Sequence, residues 1–407
     1  MQSLGVVLFA ITYAVISARR LRWLPLDRPA GALLGAVACV ATGAVGTSEA
    51  LAAIDGATLL LLFGVMGMGA FLARDGFFED AERWLVARAR TPARLLGWVV
   101  WGAGGLSALI TNDAVCVLVA PLLVRMIQRH RLPALPFLLA LSTAANTGSV
   151  ATLVGNPQNM LCGLLGELPF GIFLLHMAPV AVIGLAIDHA LLWLLFRGVL
   201  AERGLEAADS EPVASHGRWW ITVAVLGATS IAYVVGAPLA WTAVSGFALL
   251  TVLHRTDTRA LWSTIDWSLL VFFAGLFVVV QALVDSGAPA WVFARVPLQV
   301  EAGDPAGLLA SAGIFVAGSN LVSNVPFILV VRQPLEALAD PTLAWELLAM
   351  SSTFAGNLTL LGSVANVIVA EAGREVGGIG FFSFLRIGVP LTLLTTLAGV
   401  GWLLLVT

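Results

Sequence analysis

Twelve stretches of this chain are apolar, nearly free of charge and close to the length that a helix needs to cross a membrane. They are 4–17, 29–46, 54–73, 95–124, 135–165, 173–196, 219–235, 239–253, 267–284, 308–331, 343–370 and 387–406. A hydrocarbon core about 30 Å thick is spanned by roughly 20 helical residues. Only 11% of the 407 residues are charged, against about 25% in a soluble domain. The sequence therefore predicts an all-α polytopic membrane protein and excludes a soluble enzyme, a nucleic-acid-binding protein and a disordered scaffold.

The chain contains no lysine, so all 21 basic residues are arginines. This excludes a Walker-type phosphate loop and a lysine Schiff base, and with them ATP hydrolysis by that route. The three cysteines, Cys39, Cys116 and Cys162, lie in apolar stretches, where buried thiols are expected instead of disulfides. No G-x-S-x-G or H-E-x-x-H motif is present. We therefore expect no cofactor, no metal site and no enzymatic activity.

The arginines also predict which stretches cross the membrane, because cytoplasmic loops accumulate basic residues. If all twelve stretches cross, the arginines divide 12 inside to 9 outside. If 95–124 and 308–331 each enter and leave on the same side, the division becomes 19 to 2, with only Arg295 and Arg332 outside. The second arrangement predicts ten transmembrane helices and two re-entrant helical hairpins in the cytoplasmic membrane, with both termini outside.

Three sequence blocks recur in the same order in the two halves of the chain. Residues 54–55 match 265–266 at an offset of 211, 109–112 match 321–324 at 212, and 152–159 match 359–366 at 207. With five crossings in each half, the second copy must be inverted, as in secondary transporters. The first repeat is predicted over 1–196, with a cytoplasm-side hairpin at 95–124 and a broken helix at 135–165. A cytoplasmic linker is predicted over 197–218, and a second repeat over 219–407 with an outside hairpin at 308–331 and a broken helix at 343–370.

The recurring blocks also predict the binding site. Non-helical backbone at membrane depth must line protein or a water-filled cavity. Asn156 and Ser363 are typical helix N-caps, so each broken helix is expected to restart there. The returning hairpin arms are expected to be capped by Asn112 or Asp113 and by Ser323 or Asn324. Up to four helix N-termini would then meet near the midplane, where they favour an anion or an oxygen-rich neutral molecule.

Ten residues of these blocks are predicted to bind substrate: Thr111, Asn112, Gly155, Asn156, Asn159, Ser323, Asn324, Gly362, Ser363 and Asn366. Taken singly, such side chains often only join neighbouring membrane helices. Their recurrence at matching positions in both halves favours the binding role.

Asp113 is an intramembrane acid with no counterpart in the second half, where Val325 stands at the matching position. We expect Asp113 to carry the coupling proton or to help hold a coupling cation. The alternative is a simple N-cap at a wet loop tip. Asp188 and His189 point about 100° apart on one helix, so a structural bond between helices is expected there.

Four segments, 109–121, 151–159, 323–326 and 356–366, resemble the ion transporter superfamily. Within it the chain is most similar to the arsenical pump membrane proteins, which are arsenite and antimonite efflux permeases, and to related anion permeases. The resemblance implies a scaffold and a transport domain in which two hairpins and two unwound helices surround the substrate. It also implies a separate ATPase subunit as a possible partner of the transporter. The sodium-coupled dicarboxylate branch carries Ser-Asn-Thr at both hairpin tips, whereas residues 111–113 and 323–325 read Thr-Asn-Asp and Ser-Asn-Val.

The recurring blocks contain no arginine, so a dicarboxylate would lack a bidentate partner there. A small neutral hydroxide such as arsenous acid needs only amides, hydroxyls and backbone N–H groups. We therefore predict proton-coupled efflux of arsenite or antimonite. A proton- or sodium-coupled permease for another small anion, such as a dicarboxylate or sulfate, and a passive anion channel are the alternatives. The expected partners are a small inorganic oxyanion or its neutral hydroxide, protons or sodium ions, and the lipid bilayer.

Overall fold

The computed structural model describes residues 2–17, 26–201, 217–255, 257 and 259–407. These residues form α-helices and one short 3-10 helix, Gly373–Val376, and contain no strand, as the sequence predicts. The first half contains α1 (Gln2–Ser17), α2 (Arg28–Ala41), α3 (Thr47–Ala53), α4 (Gly56–Arg74), α5 (Phe77–Ala89), α6 (Pro92–Ser107), α7 (Asn112–Arg129), α8 (Ala134–Ser149), α9 (Pro157–Leu165) and α10 (Phe170–Ala201). The second half contains α11 (Trp219–Val234), α12 (Leu239–His254), α13 (Arg259–Trp262), α14 (Trp267–Asp285), α15 (Ala288–Phe293), α16 (Pro305–Val322), α17 (Asn324–Glu336), α18 (Pro341–Ala355), α19 (Val364–Ala372) and α20 (Phe381–Val406).

Five of the described helices, α4, α10, α14, α16 and α20, are long and apolar enough to cross a membrane by length and composition. The shorter helices α1, α2, α11 and α12 are also apolar. The sequence predicts α16 as one arm of a re-entrant hairpin, and its 18 residues also place it among the long helices. Large apolar side chains on outward faces, such as Leu175 at 73% and Val235 at 78% exposure, suit contact with hydrocarbon.

The two halves contain matching elements in the same order. Asp55 and Asp266 cap α4 and α14, and each accepts a hydrogen bond from the N–H three residues later, at 2.7 and 3.0 Å. Each of these helices is followed by a glycine with positive φ, 79° at Gly76 and 74° at Gly287. Glycine adopts this left-handed conformation without steric cost, which allows α5 and α15 to start at once in a new direction. The turn chemistry therefore recurs together with the helices.

The two helices predicted over 135–165 and 343–370 are both interrupted, as the sequence predicts. Residues 150–156 separate α8 from α9, and residues 356–363 separate α18 from α19. Asn156 caps α9 by accepting a hydrogen bond from the N–H of Asn159 at 2.8 Å. Ser363 caps α19 by accepting one from the N–H of Ala365 at 3.2 Å. Both caps are those predicted, and both have the extended backbone that an N-cap requires.

The caps of α7 and α17 differ from those predicted. Thr111 caps α7, in place of Asn112 or Asp113, and its hydroxyl accepts a hydrogen bond from the N–H of Ala114 at 3.2 Å. Thr111 has extended backbone, whereas Asn112 already lies in the first helical turn. Ser323 precedes α17 with φ of 71° and makes no side-chain capping bond. A cap needs backbone in the β region, which Ser323 does not have.

The structure also contains four short helices that lie outside the twelve predicted stretches, α3, α5, α13 and α15. Glu79 and Asp80 lie in the first turn of α5, where negative charge is favourable. Asp80 accepts a hydrogen bond from Nε1 of Trp219 at 3.0 Å, which joins α5 to α11. In the predicted linker, residues 197–201 continue α10, residues 217–218 precede α11, and residues 202–216 lie outside the described part of the chain.

Helices of one half pack against helices of the other. α4 packs on α12 and α14 packs on α2, with close backbone approach at Gly64 and Gly275, where an added Cβ would collide with the partner helix. α10 packs on α20. α9 packs on α18 and α19 packs on α8, so the short piece of each broken helix contacts the longer piece of the broken helix in the other half. This crosswise packing brings the two helix breaks together.

Candidate substrate and ion site

Asn159 and Asn366, termed here the break asparagines, stabilise the two helix breaks in the same way. Nδ2 of Asn159 donates to the carbonyl oxygens ten and seven residues earlier in the chain, at 3.2 and 2.9 Å. Nδ2 of Asn366 donates to the carbonyls at the same two separations, at 2.7 and 3.1 Å. Both side chains are fully buried. The carbonyl groups that lose their helical hydrogen bonds at the breaks therefore accept hydrogen bonds from these side chains. Such bonds are needed within a membrane, because lipid supplies no donors.

The helix caps join each break to the other half. Nδ2 of Asn156 donates to Oγ1 of Thr353 at 3.1 Å, and the Ser363 hydroxyl donates to Oδ1 of Asn146 at 3.0 Å. Thr353 and Asn146 also donate to the side-chain oxygens of the break asparagines, at 3.0 and 2.8 Å. Asn146 and Thr353 are themselves equivalent by the 207-residue offset. The hydrogen-bond pattern thus has the two-fold character of the sequence repeat.

A cluster of buried amides lies between the breaks. Nδ2 of Asn112 donates to Oδ1 of Asn146 at 2.9 Å, and Nδ2 of Asn146 donates to Oδ1 of Asn357 at 3.0 Å. Nδ2 of Asn357 donates in turn to the Thr147 hydroxyl at 2.9 Å. All four side chains are buried. This uncharged network connects the tip of the α6–α7 pair to both breaks.

A cavity of about 390 Å³ lies beside this cluster. Six of the eleven predicted substrate and coupling residues line it: Asn112, Asp113, Ser323, Asn324, Gly362 and Ser363. The other five, Thr111, Gly155, Asn156, Asn159 and Asn366, are not among the lining residues. Their polar groups bond within the protein, so in this conformation they shape the site from behind. The structure brings all eleven to one region and gives them two different roles.

Asp113 lines the cavity from the first turn of α7. Its N–H donates to Oδ1 of Asn112 at 2.9 Å, and its carboxylate faces the backbone N–H of Ala365 in the first turn of α19. Two helix N-termini therefore converge on this carboxylate, a favourable place for negative charge. Arg28 and Asp266 are the charged side chains that act on it among the described residues.

The tip of the α16–α17 pair presents polar groups without partners. Nδ2 of Asn324 donates to the carbonyl of Gly362 at 3.3 Å, which leaves Oδ1 as the remaining polar atom of that side chain. Neither this Oδ1 nor the Ser319 hydroxyl has a hydrogen-bond partner among the described residues. Both residues line the cavity. An unsatisfied buried polar group costs about 1–3 kcal/mol, so a bound molecule that satisfies them is favoured.

Several residues of this region were not predicted from the sequence. Arg28, at the start of α2, lines the cavity; the sequence marks it only as one more arginine of a loop. Asn320 lines it too, and its Nδ2 donates to the carbonyl of Ala355 at 2.9 Å. Asn146 and Asn357 carried a usable signal, because each stands within two residues of a glycine in a polar interruption of an apolar stretch.

A model of the citrate transporter family CitMHS matches residues 7–355. The chain belongs to this family. The silicon efflux transporter LSI3 of Oryza sativa subsp. japonica is 31% identical, over 98% of this chain and 96% of its own. The putative transporter arsB of Dictyostelium discoideum is 25% identical, over 94% of this chain and 88% of its own. The crystal structure of the Alcanivorax borkumensis YdaH transporter has the same fold, with a TM-score of 0.53 and 17% identity over 100% of this chain and 97% of that one.

This CitMHS family member is therefore a multi-pass membrane protein and a secondary transporter, not an enzyme. The predicted membership of the ion transporter superfamily is confirmed by the family match and by the relatives. The likeness to YdaH confirms the all-helical transporter fold. Family membership also indicates an anion-type substrate.

Proposed function

We propose that this CitMHS transporter exports a small metalloid hydroxide, arsenous acid or its antimony analogue, in exchange for protons. The observation that carries the proposal is the polar wall of the cavity, which consists mainly of amides, hydroxyls and the N-termini of α7, α17 and α19. A neutral hydroxide both donates and accepts hydrogen bonds. It can donate to the unpartnered Oδ1 of Asn324 and accept from backbone N–H groups at the helix starts.

Two relatives support this choice of substrate and direction. The rice relative is named a silicon efflux transporter, which supports export. The Dictyostelium relative is named a putative transporter arsB. Each covers nearly the whole chain, including both helix breaks.

We also propose that ten helices cross the membrane, that the α6–α7 and α16–α17 pairs are re-entrant hairpins, and that both termini lie outside a cytoplasmic membrane. The matched hydrogen bonds of the break asparagines support a two-fold relation between the halves. Five crossings per half make that relation an inverted one. In this orientation Ile16, Arg28 and Leu269, at the ends of α1, α2 and α14 nearest the cavity, face the cytoplasm. The cavity is then the inward-open substrate site.

Asp113 is the residue proposed to carry the coupling proton. It lines the same cavity as Asn324, so substrate and proton can compete for one region. When the Asp113 carboxylate binds a proton, it loses the negative charge that the N-termini of α7 and α19 stabilise. Val325 cannot do this at the equivalent tip, which makes the coupling chemistry a property of one half only.

Arsenite uptake into everted vesicles that carry only this chain tests the proposal. We expect accumulation above the external concentration when a pH gradient is imposed without ATP, and collapse of that accumulation on addition of a protonophore. Asp113→Asn should abolish the accumulation and leave a folded protein, as judged by size-exclusion chromatography. Glu371→Gln, which changes an acid that is 62% exposed, is the matched control and should accumulate normally.

Uptake that only equilibrates would contradict the proposal and indicate a passive channel. Accumulation that requires an added ATPase subunit would contradict the secondary mechanism for this substrate.

A second candidate is a permease for a small carboxylate or another anion, and the presence of Arg28 on the cavity favours it. A charge-assisted hydrogen bond contributes about 1.5–3 kcal/mol, which corresponds to tenfold or more in affinity. Arg28→Gln should therefore raise KM at least tenfold for an anionic substrate and leave KM for arsenous acid nearly unchanged. Citrate, a C4-dicarboxylate and sulfate are the competing solutes to test in the same vesicles.

A further inference from the structure

Asp188 is a fully buried acid in the middle of α10, apart from the cavity lining. Both of its carboxyl oxygens lie close to the hydroxyl of Thr143 on α8, at 3.0 and 2.9 Å. The same hydroxyl lies 2.8 Å from the carbonyl oxygen of Leu139, one turn earlier in α8. The expected structural bond is therefore present and joins α10 to α8. The two carboxyl oxygens of Asp188 and the carbonyl oxygen of Leu139 all surround the Thr143 hydroxyl.

The number of hydrogen-bond donors around the Thr143 hydroxyl indicates the protonation state of Asp188. A hydroxyl donates one hydrogen bond and accepts others. If Thr143 donates to Leu139, Asp188 satisfies the remaining contact only by donating, which requires a protonated carboxyl group. If Thr143 donates to Asp188 instead, a fully buried carboxylate is left with one neutral hydrogen bond and no cation. The protonated arrangement uses both hydroxyl protons and leaves only the neutral carbonyl oxygen of Asp188 without a donor, whereas the ionised one leaves a buried charge uncompensated.

Within the described part of the chain, no basic side chain offsets a charge on Asp188. It has no ion pair, and no charged group acts on it among the described residues. α8, which supplies Thr143, contains no ionisable residue. His189 points to α6, where Nε1 of Trp101 donates to its Nδ1 at 3.3 Å. The other ionisable groups of α10 and of the helices that contact it are Arg94 on α6, Tyr233 on α11, Glu346 on α18, Arg386 on α20, and His176 and Arg197 on α10 itself.

Packing alone does not require an acid at this position. α10 and α20 start at Phe170 and Phe381, an offset of 211 that also matches their inner prolines, so Gly399 is the counterpart of Asp188. By the offset of 207, Met350 is the counterpart of Thr143. A Cβ atom at Gly399 would collide with the sulfur of Met350, so this pair forms a close apolar contact. The equivalent position of the helix crossing is thus filled without an acid in the second half. Asp188 therefore adds something that the fold does not need.

Thr143 also connects Asp188 to the substrate region. Its backbone carbonyl accepts a hydrogen bond from Nδ2 of Asn357 at 3.3 Å. Asn357 belongs to the amide cluster that reaches Asn112, the neighbour of Asp113. A change at Thr143 is thus two side chains away from the tip of the α6–α7 pair.

We propose that Asp188 is a second proton-binding site of this transporter, separate from Asp113, with Thr143 as its hydrogen-bond switch. In the protonated state the carboxyl O–H donates to Thr143, and the Thr143 O–H donates to Leu139. When the carboxyl O–H bond breaks and the proton leaves to water, the Thr143 hydroxyl turns to the carboxylate. No other bond changes. The role of this site in coupled export rests on the proposed function. The binding of a proton to Asp188 does not depend on it.

Infrared spectroscopy of the purified full-length chain in lipid nanodiscs tests the bound proton. A protonated carboxyl group has a C=O stretch separate from the amide and carboxylate bands, and the band shifts in D2O. At neutral pH we expect such a band in the wild type, its loss in Asp188→Asn, and its retention in Glu346→Gln, which changes another buried acid. Thr143→Val should shift the band to higher frequency, since the carboxyl group loses its acceptor.

Labelling with 13C-aspartate in an Asp113→Asn background gives the same answer without a change at Asp188, because only aspartate bands then move and Asp113 no longer contributes. Absence of an aspartic acid band in the Asp113→Asn background, or a band there that survives the further change Asp188→Asn, would overturn the proposal.

A transport measurement tests the coupling role. Asp188→Asn should retain exchange of arsenite across vesicles but lose at least tenfold in accumulation driven by a pH gradient. Undiminished accumulation would overturn the coupling role. If wild type transports no arsenite, the proposed function fails while the infrared result still decides whether Asp188 holds a proton.

Discussion

The break asparagines show how one residue type solves a problem set by the membrane. A helix that stops in the bilayer exposes carbonyl groups that lipid cannot satisfy. Asn159 and Asn366 supply two donors and one acceptor each, from the first turn of the helix that follows. An aspartate could accept but not donate here, and a serine would supply a single donor. The amide is therefore required by the geometry of the break as much as by any substrate.

Removal of either break asparagine is expected to destabilise the protein by a similar amount. Asn159→Ala and Asn366→Ala each leave buried carbonyl groups without donors, and we expect a loss of roughly 2–4 kcal/mol in the free energy of unfolding for each. Thermal or denaturant unfolding in detergent measures this. Thr42→Ala, which removes an exposed hydroxyl bonded within α2, is the control and should change stability little. A marked inequality between the two asparagine variants would argue against equivalent roles.

Elements that follow from local chemistry could be predicted from the sequence, and those that depend on backbone direction could not. Asn156 before Pro157 and Ser363 after Gly362 carry their own cap signals, so the restarts of the broken helices were predictable. The start of α7 was misplaced by one or two residues because threonine, asparagine and aspartate in a row are all good caps. Only the backbone angles choose Thr111 among them.

The approach of α6 to α8 provides a prediction at the level of helix packing. A Cβ atom at Gly148 on α8 would collide with the backbone of Gly104 on α6, so Gly148→Ala must push the helices apart. Overpacking of this kind costs about 1–3 kcal/mol. It also displaces Asn146, two residues away, so we expect a lower melting temperature and at least a tenfold loss of transport. Gly105→Ala, whose added Cβ meets nothing within 4 Å, is the matched control and should behave as wild type.

At the scale of the whole molecule, the sequence predicts the repeat but only some of the residues that line the cavity. Offsets between 207 and 212 pair helices that occur in the same order in the two halves, with small insertions between them. Arg28, however, reaches the cavity from α2, outside every recurring block. Such a residue is invisible to a repeat search, since its place in the site depends on how scaffold helices pack against the breaks. The cavity is therefore less symmetric than the sequence that surrounds it.

An inverted repeat makes a prediction that a parallel repeat does not share. Ala87 and Ala294 are exposed residues at the ends of the equivalent helices α5 and α15. In an inverted repeat they lie on opposite sides of the membrane, and in a parallel repeat on the same side. The buried thiols of Cys39, Cys116 and Cys162 are first replaced by alanine. In intact cells a membrane-impermeant thiol reagent should then label Ala294→Cys and not Ala87→Cys, and the preference should reverse in everted vesicles. Labelling of both variants from one side would rule out inversion and, with it, the inward-open assignment of the cavity, because the ends of α1, α2 and α14 would no longer share a cytoplasmic face.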